Sequence, residues 1–133
     1  MRNIQPGISA ETMIEVKEEA LASSWGSGIV EVFSTPAMIG LMENAAEKAV
    51  RSFLDEGETT VGTRVEVKHL APTPKGMKVK ASATLLKVEG RRLVFKVEAW
   101  DEVERIGEGE HERFVVDRNR FMNRVQEKER RTC

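Results

Sequence analysis

The sequence predicts a two-layer α+β domain in which one long amphipathic helix packs against one twisted antiparallel β-sheet. Three observations carry that class. Residues 32–54, VFSTPAMIGLMENAAEKAVRSFL, have helical periodicity and no proline after the first turn. From Thr59 the apolar period changes to two and persists through runs separated by turn residues. After Asp117 a short charged segment returns to helical spacing and closes the chain.

At 133 residues the chain has the size of one domain, taken as 1–133, with enough length for one sizeable core. Its 40% apolar and 32% charged content describes a soluble globular protein. The net charge of −1 comes from 21 basic and 22 acidic residues intermixed along the chain. That balance supplies no attraction for nucleic acid or an anionic membrane, and neither is expected as a partner. The basic end, RNRFMNRVQEKERR, is interrupted by acids and reads as a solvated helix. The only cysteine is Cys133, which leaves no intrachain disulfide and no cysteine-based metal site. MRNIQPGISAE has no apolar core of a signal peptide, and no segment approaches ~18 consecutive apolar residues. The cytoplasm is the expected location.

Taken in order, Met13–Ala20 (MIEVKEEA) reads as a short strand, followed by the Ser/Gly-rich loop LASSWGSG. The helix then starts with Thr35 as its N-cap and Pro36 at its first position. Met38, Met42, Ala45, Ala49 and Phe53 form its apolar stripe, widened by Ile39, Ala46 and Val50. Asn44, Glu47, Lys48, Arg51 and Asp55 gather opposite, and Gly57 stops the helix. The first sheet strand from Thr59 places Val61, Thr63, Val65, Val67 and His69 on one face. APTPKG ends it.

A second strand from Met77 turns Val79, Ala81, Ala83 and Leu85 inward. Its apolar phase then slips to Leu86 and Val88, which predicts a bulge. A turn at Gly90 leads to a third strand with Leu93, Phe95, Val97 and Ala99 inward. In a fourth, Arg105 to Val116, Gly107, Gly109, His111 and Arg113 share one face, and the two glycines leave space for close approach. Asp117 caps the last helix, whose apolar side is Phe121, Met122 and Val125.

One glutamate departs from this pattern. Glu43 projects roughly 90° away from the centre of the helix's polar face, between Val50 and Leu54. His69 ends a strand face otherwise made of apolar and small residues, so both ionisable groups point to one apolar layer. Each has an ordinary account: a snorkelling carboxylate, a hydrogen-bonded strand-end histidine, and a Thr35 that serves only as a cap. Together they suit chemistry. Burial raises a carboxyl pKa and a nearby imidazolium lowers it, giving a base or nucleophile near neutral pH. The amides of Ala37 and Met38, at the positive end of the helix dipole, suit a developing oxyanion.

VFSTPAMIGLMENA, VGTRVEVKHLAPTPKG, VEGRRL and IGEGEHERFVV, in this order and spacing, closely resemble the fluoroacetyl-CoA thioesterase-like family of hotdog-fold proteins. The match runs from about Val32 to Phe121 and includes T-x7-E and H-x3-T-P-x-G. The resemblance implies a long central helix wrapped by an antiparallel sheet, hydrolysis of acyl-CoA thioesters, no cofactor and a homodimer with its sites between subunits. It implies a catalytic triad of Thr35, Glu43 and His69, with Gly62 and Arg113 near the substrate. Members specialised for fluoroacetyl-CoA gate the acyl pocket with aromatic residues ahead of the helix. Here SSWGSGIVEVF keeps Trp25 and Phe33, but Gly26 and Ile29 open the middle. A short-chain or small aryl acyl-CoA is therefore the expected substrate. The competing reading is a non-catalytic acyl-CoA-binding hotdog module, a sensor or carrier.

Overall fold

The computed structural model describes residues 1–132, so the Cys133 assignments lie outside the described residues. The chain runs β1 (Ser9–Glu15), α1 (Thr35–Val50), β2 (Glu58–His69), β3 (Lys78–Glu89), β4 (Arg92–Trp100), β5 (Arg105–Asp117) and α2 (Arg118–Arg130). Short 3-10 turns lie at Glu18–Ala20, Ala22–Trp25 and Arg51–Phe53. All strand pairs are antiparallel, in the order β1-β3-β4-β5-β2. The sheet wraps α1, which packs mainly on β3 and β1. This is the hotdog arrangement of the α+β class.

The core follows from the two periods. Met38, Met42, Ala45, Ala46, Ala49 and Val50 of α1 are buried, and they meet Val79, Ala81, Ala83 and Leu85 of β3 and Leu93, Phe95, Val97 and Ala99 of β4. Each large apolar side chain so buried contributes about 1.5–3 kcal/mol. Phe53, assigned to the helix stripe, lies in the 3-10 turn beyond α1 and is only half-buried. The bulge expected in the second strand is present, with the register shifting between Leu85 and Lys87. Asp117 caps α2 by accepting from the Arg120 amide. No side chain of α2 is fully buried, and no helix among the described residues is long and apolar enough to cross a membrane.

α1 ends at Val50, ahead of the expected stop at Gly57, and among the strands two assignments change. The first strand is Ser9–Glu15 rather than Met13–Ala20, because Ser9 to Glu15 pair with Thr84 to Lys78 of β3. Glu18–Ala20 is a 3-10 turn instead. In β2 the inward face is Thr60 and Gly62, then Val65, Val67 and His69. A register shift between Gly62 and Arg64 makes Thr63 the extra residue. Cross-strand partners share a face, and these five residues pair with Val115, Arg113, His111, Gly109 and Gly107. Val61 opposes the half-exposed Phe114 on the outer side. The bulge therefore points both Gly62 and His69 toward α1.

Candidate active site

Ser34, not Thr35, caps α1. Its extended backbone (φ −77°, ψ 150°) precedes the first helical residue, and its Oγ accepts from the Ala37 amide at 3.1 Å. Its carbonyl accepts from the Met38 amide at 3.0 Å. Both amides assigned to an oxyanion are thus engaged by the cap. Pro36 moves to the second helical position, and Thr35 is left with a free-standing side chain.

Thr35 uses that side chain on His69. Its Oγ1 lies 2.7 Å from His69 Nδ1, which the end of β2 brings to the head of α1. Burial lowers the His69 pKa from its ordinary 6.5, so the ring is neutral at pH 7. His69 Nε2 is the one buried side-chain polar atom among the described residues without a hydrogen-bond partner. Thr35 and His69 border a cavity of ≈ 460 Å³ whose other walls include Ala22, Gly28, Val30, Phe33 and Ala71. Phe33 is fully buried. Trp25 does not line this cavity; it is 54% exposed, and its Nε1 donates to the Glu19 carbonyl at 2.9 Å.

Glu43 belongs to a second cluster. Its Oε2 lies 3.9 Å from Arg113 Nη1, and a Cβ placed on Gly62 would come within 2.9 Å of that same oxygen. Gly62 is the gap that admits the carboxylate. Arg113 is buried, donating from Nε to Thr60 Oγ1 (2.8 Å) and from Nη2 to the Thr60 carbonyl (3.0 Å). Its Nη1 is 3.2 Å from His111 Nε2. Burial pulls the Arg113 pKa down, opposed by Glu43 and Glu47.

The fold thus joins Thr35 to His69, and Glu43 to Gly62 and Arg113, but in two separate groups. Thr35 and Glu43 stand eight positions apart on the helix, roughly 12 Å of rise. Among the described residues Glu43 makes no hydrogen bond to Thr35 or His69, so its charged neighbour is a guanidinium rather than the expected imidazole. Sequence reasoning missed Thr60 and His111. The alternation of GEGEHER already put His111 beside Arg113 on one face, whereas the β2 bulge concealed Thr60. No group of three or more His, Cys, Asp or Glu side chains among the described residues is placed to hold a metal ion.

The fluoroacetyl-CoA-specific thioesterase family profile matches residues 16–119. The fluoroacetyl-CoA thioesterase of Streptantibioticus cattleyicolor is 46% identical over 98 residues, covering 74% of this chain and 70% of that protein. A mutant of a fluoroacetyl-CoA-specific thioesterase, solved with fluoroacetate and CoA, superposes with a TM-score of 0.83. It is 36% identical, over 89% of this chain and 99% of that one. A thioesterase-superfamily member from Thermus thermophilus gives 0.92 at 33% identity, over 98% and 97% of the two chains. The chain is a thioester hydrolase, and it belongs to the fluoroacetyl-CoA-specific thioesterase family.

Proposed function

We propose that the chain hydrolyses a short-chain or small aryl acyl-CoA thioester to the free acid and CoA, using Thr35, Glu43 and His69. The observation that carries this is the 2.7 Å contact between Thr35 Oγ1 and His69 Nδ1 at the wall of a small cavity. A neutral imidazole beside a hydroxyl is a base ready to take a proton near pH 7. Glu43 attacks the thioester carbonyl or activates the water that does. Water oxygen ends on the acyl carbon, the C–S bond breaks, and the CoA sulfur leaves as thiol with a proton. Thr35 orients the carboxylate or the carbonyl. Because the Ala37 and Met38 amides are committed to Ser34, the head of α1 stabilises the oxyanion through its dipole. Gly62 and Arg113 flank the substrate, Gly62 by leaving the gap that admits the Glu43 carboxylate and Arg113 by supplying positive charge beside it.

The cavity supports the acyl assignment. Its ≈ 460 Å³ is within the range of small-ligand sites. Ala22, Gly28 and Ala71 leave it open, and with Trp25 turned aside Phe33 is its aromatic wall. Ile29, in the stretch that gates specialised relatives, is 93% exposed. The CoA-bound relative supports a CoA ester. Thiol release from a panel of acyl-CoA esters tests the reading: turnover of acetyl-, propionyl- or benzoyl-CoA is expected, and none on any of them refutes it.

A homodimer completes the site in this reading. β2 is a twelve-residue edge strand, with Gly62 to Glu66 exposed in an unbroken run. Such an edge pairs with another strand unless something covers it. Antiparallel pairing of two β2 edges brings Gly62 and Glu43 of one copy toward His69 and Thr35 of the other. Glu43→Gln and His69→Ala, each strongly impaired alone, then regain about a quarter of wild-type activity when refolded together, since half the dimers are mixed and each holds one intact site. A mixture as impaired as its parents places all three residues in one chain.

A further inference from the structure

Around Arg113, every short contact of one guanidinium edge is accounted for. Thr60 takes Nε and Nη2 through its hydroxyl and its carbonyl, at 2.8 and 3.0 Å. His111 Nδ1 lies 2.8 Å from the Arg64 carbonyl, which can only accept, so Nδ1 carries the ring proton. Nε2 therefore presents its lone pair to Arg113 Nη1 at 3.2 Å. The ring is 1% exposed and stacked on Phe95 at 6.4 Å between centroids, so it cannot rotate away. What remains of Nη1 faces Glu43 Oε2, 3.9 Å away across the space left by Gly62. Burial and the Arg113 charge lower the His111 pKa and keep the ring in its accepting, neutral form, while Glu43, Glu112 and the Arg64 carbonyl act the other way.

We propose that Thr60 and His111 are positioning residues that clamp the Arg113 guanidinium so that its one uncommitted Nη1 donor is fixed on the Glu43 carboxylate. Glu43 sits on a helix shoulder, partly exposed, and among the described residues the Arg113 guanidinium is its charged neighbour, with no hydrogen bond holding the carboxylate. A carboxylate that must act on a thioester needs a fixed direction. A clamped arginine supplies it, where a freely rotating one would follow the carboxylate instead of directing it. His111 as a neutral acceptor is essential to the arrangement, because an imidazolium would repel the guanidinium it now holds. The proposal rests on the reading of Glu43 as a catalytic group.

The test compares kcat and KM for thioester turnover in the full-length chain. Thr60→Val removes the side-chain acceptor at nearly constant volume and is expected to lower kcat about tenfold, with KM within about twofold of wild type. Thr60→Ser restores the hydroxyl and the rate. His111→Leu is expected to lower kcat similarly, whereas His111→Gln, which keeps an acceptor for Nη1, recovers most of the loss. Folding of each variant is checked by thermal unfolding. If Thr60→Val only melts earlier and keeps wild-type kcat while Glu43→Gln in the same assay is strongly impaired, the clamp is overturned and Thr60 is structural. Activity in both variants overturns the Glu43 reading, and the clamp with it.

Discussion

At the head of α1 two adjacent hydroxyls divide stability from chemistry. Ser34 accepts from the Ala37 amide, and Thr35 contacts His69. Ser34→Ala should therefore cost about 1 kcal/mol of stability, the usual worth of an N-cap. Thr35→Ala should leave the melting temperature nearly unchanged and slow turnover at least roughly tenfold, about 1.4 kcal/mol of barrier, while Thr35→Ser keeps much of the rate. Thermal unfolding beside thiol release separates the two; a Thr35→Ala protein that melts early and turns over normally would make it a mere helix residue. Two turns on, Glu43→Gln should lose on the order of 10²-fold in rate. Glu47 pairs with Arg51, the residue that follows α1, and Glu47→Gln should be nearly silent. Equal rates in the two glutamine variants would refute the role given to Glu43. His69→Ala should flatten the acid limb of the rate profile, which lies below pH 6.5 because burial lowers the pKa of that ring.

Among the elements, β5 shows what its glycines accomplish. A Cβ on Gly109 would lie 2.1 Å from the Glu66 carbonyl oxygen, part of the backbone of β2. A Cβ on Gly107 would meet Met38 Sδ at 2.5 Å and the Met42 methyl at 3.1 Å, the ends of flexible side chains. Gly109→Ala must push two paired strands apart, whereas Gly107→Ala only asks methionines to repack. Chemical denaturation should show Gly109→Ala losing about 2 kcal/mol or more, and Gly107→Ala distinctly less. A reversed order would mean that α1, rather than β2, is the less yielding neighbour. The two bulges differ in legibility for a related reason. In β3 the slip carries apolar residues, Leu86 and Val88, onto new phases, and the pattern reveals it. In β2 the inserted residue is Thr63, next to Arg64, and Val61, Val65 and Val67 continue an unbroken alternation across it. Nothing in their chemistry marks the shift.

For the molecule as a whole, acid should unfold it through two windows. His69 and His111 have folded pKa values lowered by burial below the ordinary 6.5. The unfolded chain then binds more protons than the folded one as pH falls from about 6.5. Stability is fully present above that pH and is lost as it falls through the folded values. Glu58 is held at about 2 by the N-terminal ammonium, the Asp55 amide and Arg91. Its contribution is full above its ordinary 4.5 and vanishes toward pH 2. Urea midpoints measured across pH should fall in both windows, and His111→Gln should reduce the slope of the upper one alone. An unchanged upper slope would mean that His111 titrates alike in both states.

The sequence by itself determined the layers. Helical period over α1, strand period from Thr59, the β3 bulge and the Asp117 cap are local properties, each set by neighbours within a few residues. It also marked Glu43 as misplaced on its helix and His69 as misplaced on its strand, because a periodic face exposes any member that breaks it. Tertiary structure decided what those residues meet. Whether Ser34 or Thr35 caps the helix depends on which hydroxyl the His69 ring occupies, and that ring arrives from thirty-four residues away. Gly62 faces Glu43, and Thr60 faces Arg113, only because β5 pairs with β2 across an inserted residue. Pairing register is a nonlocal quantity, fixed by hydrogen bonds between strands, and a polar insertion leaves no trace in hydrophobic phase.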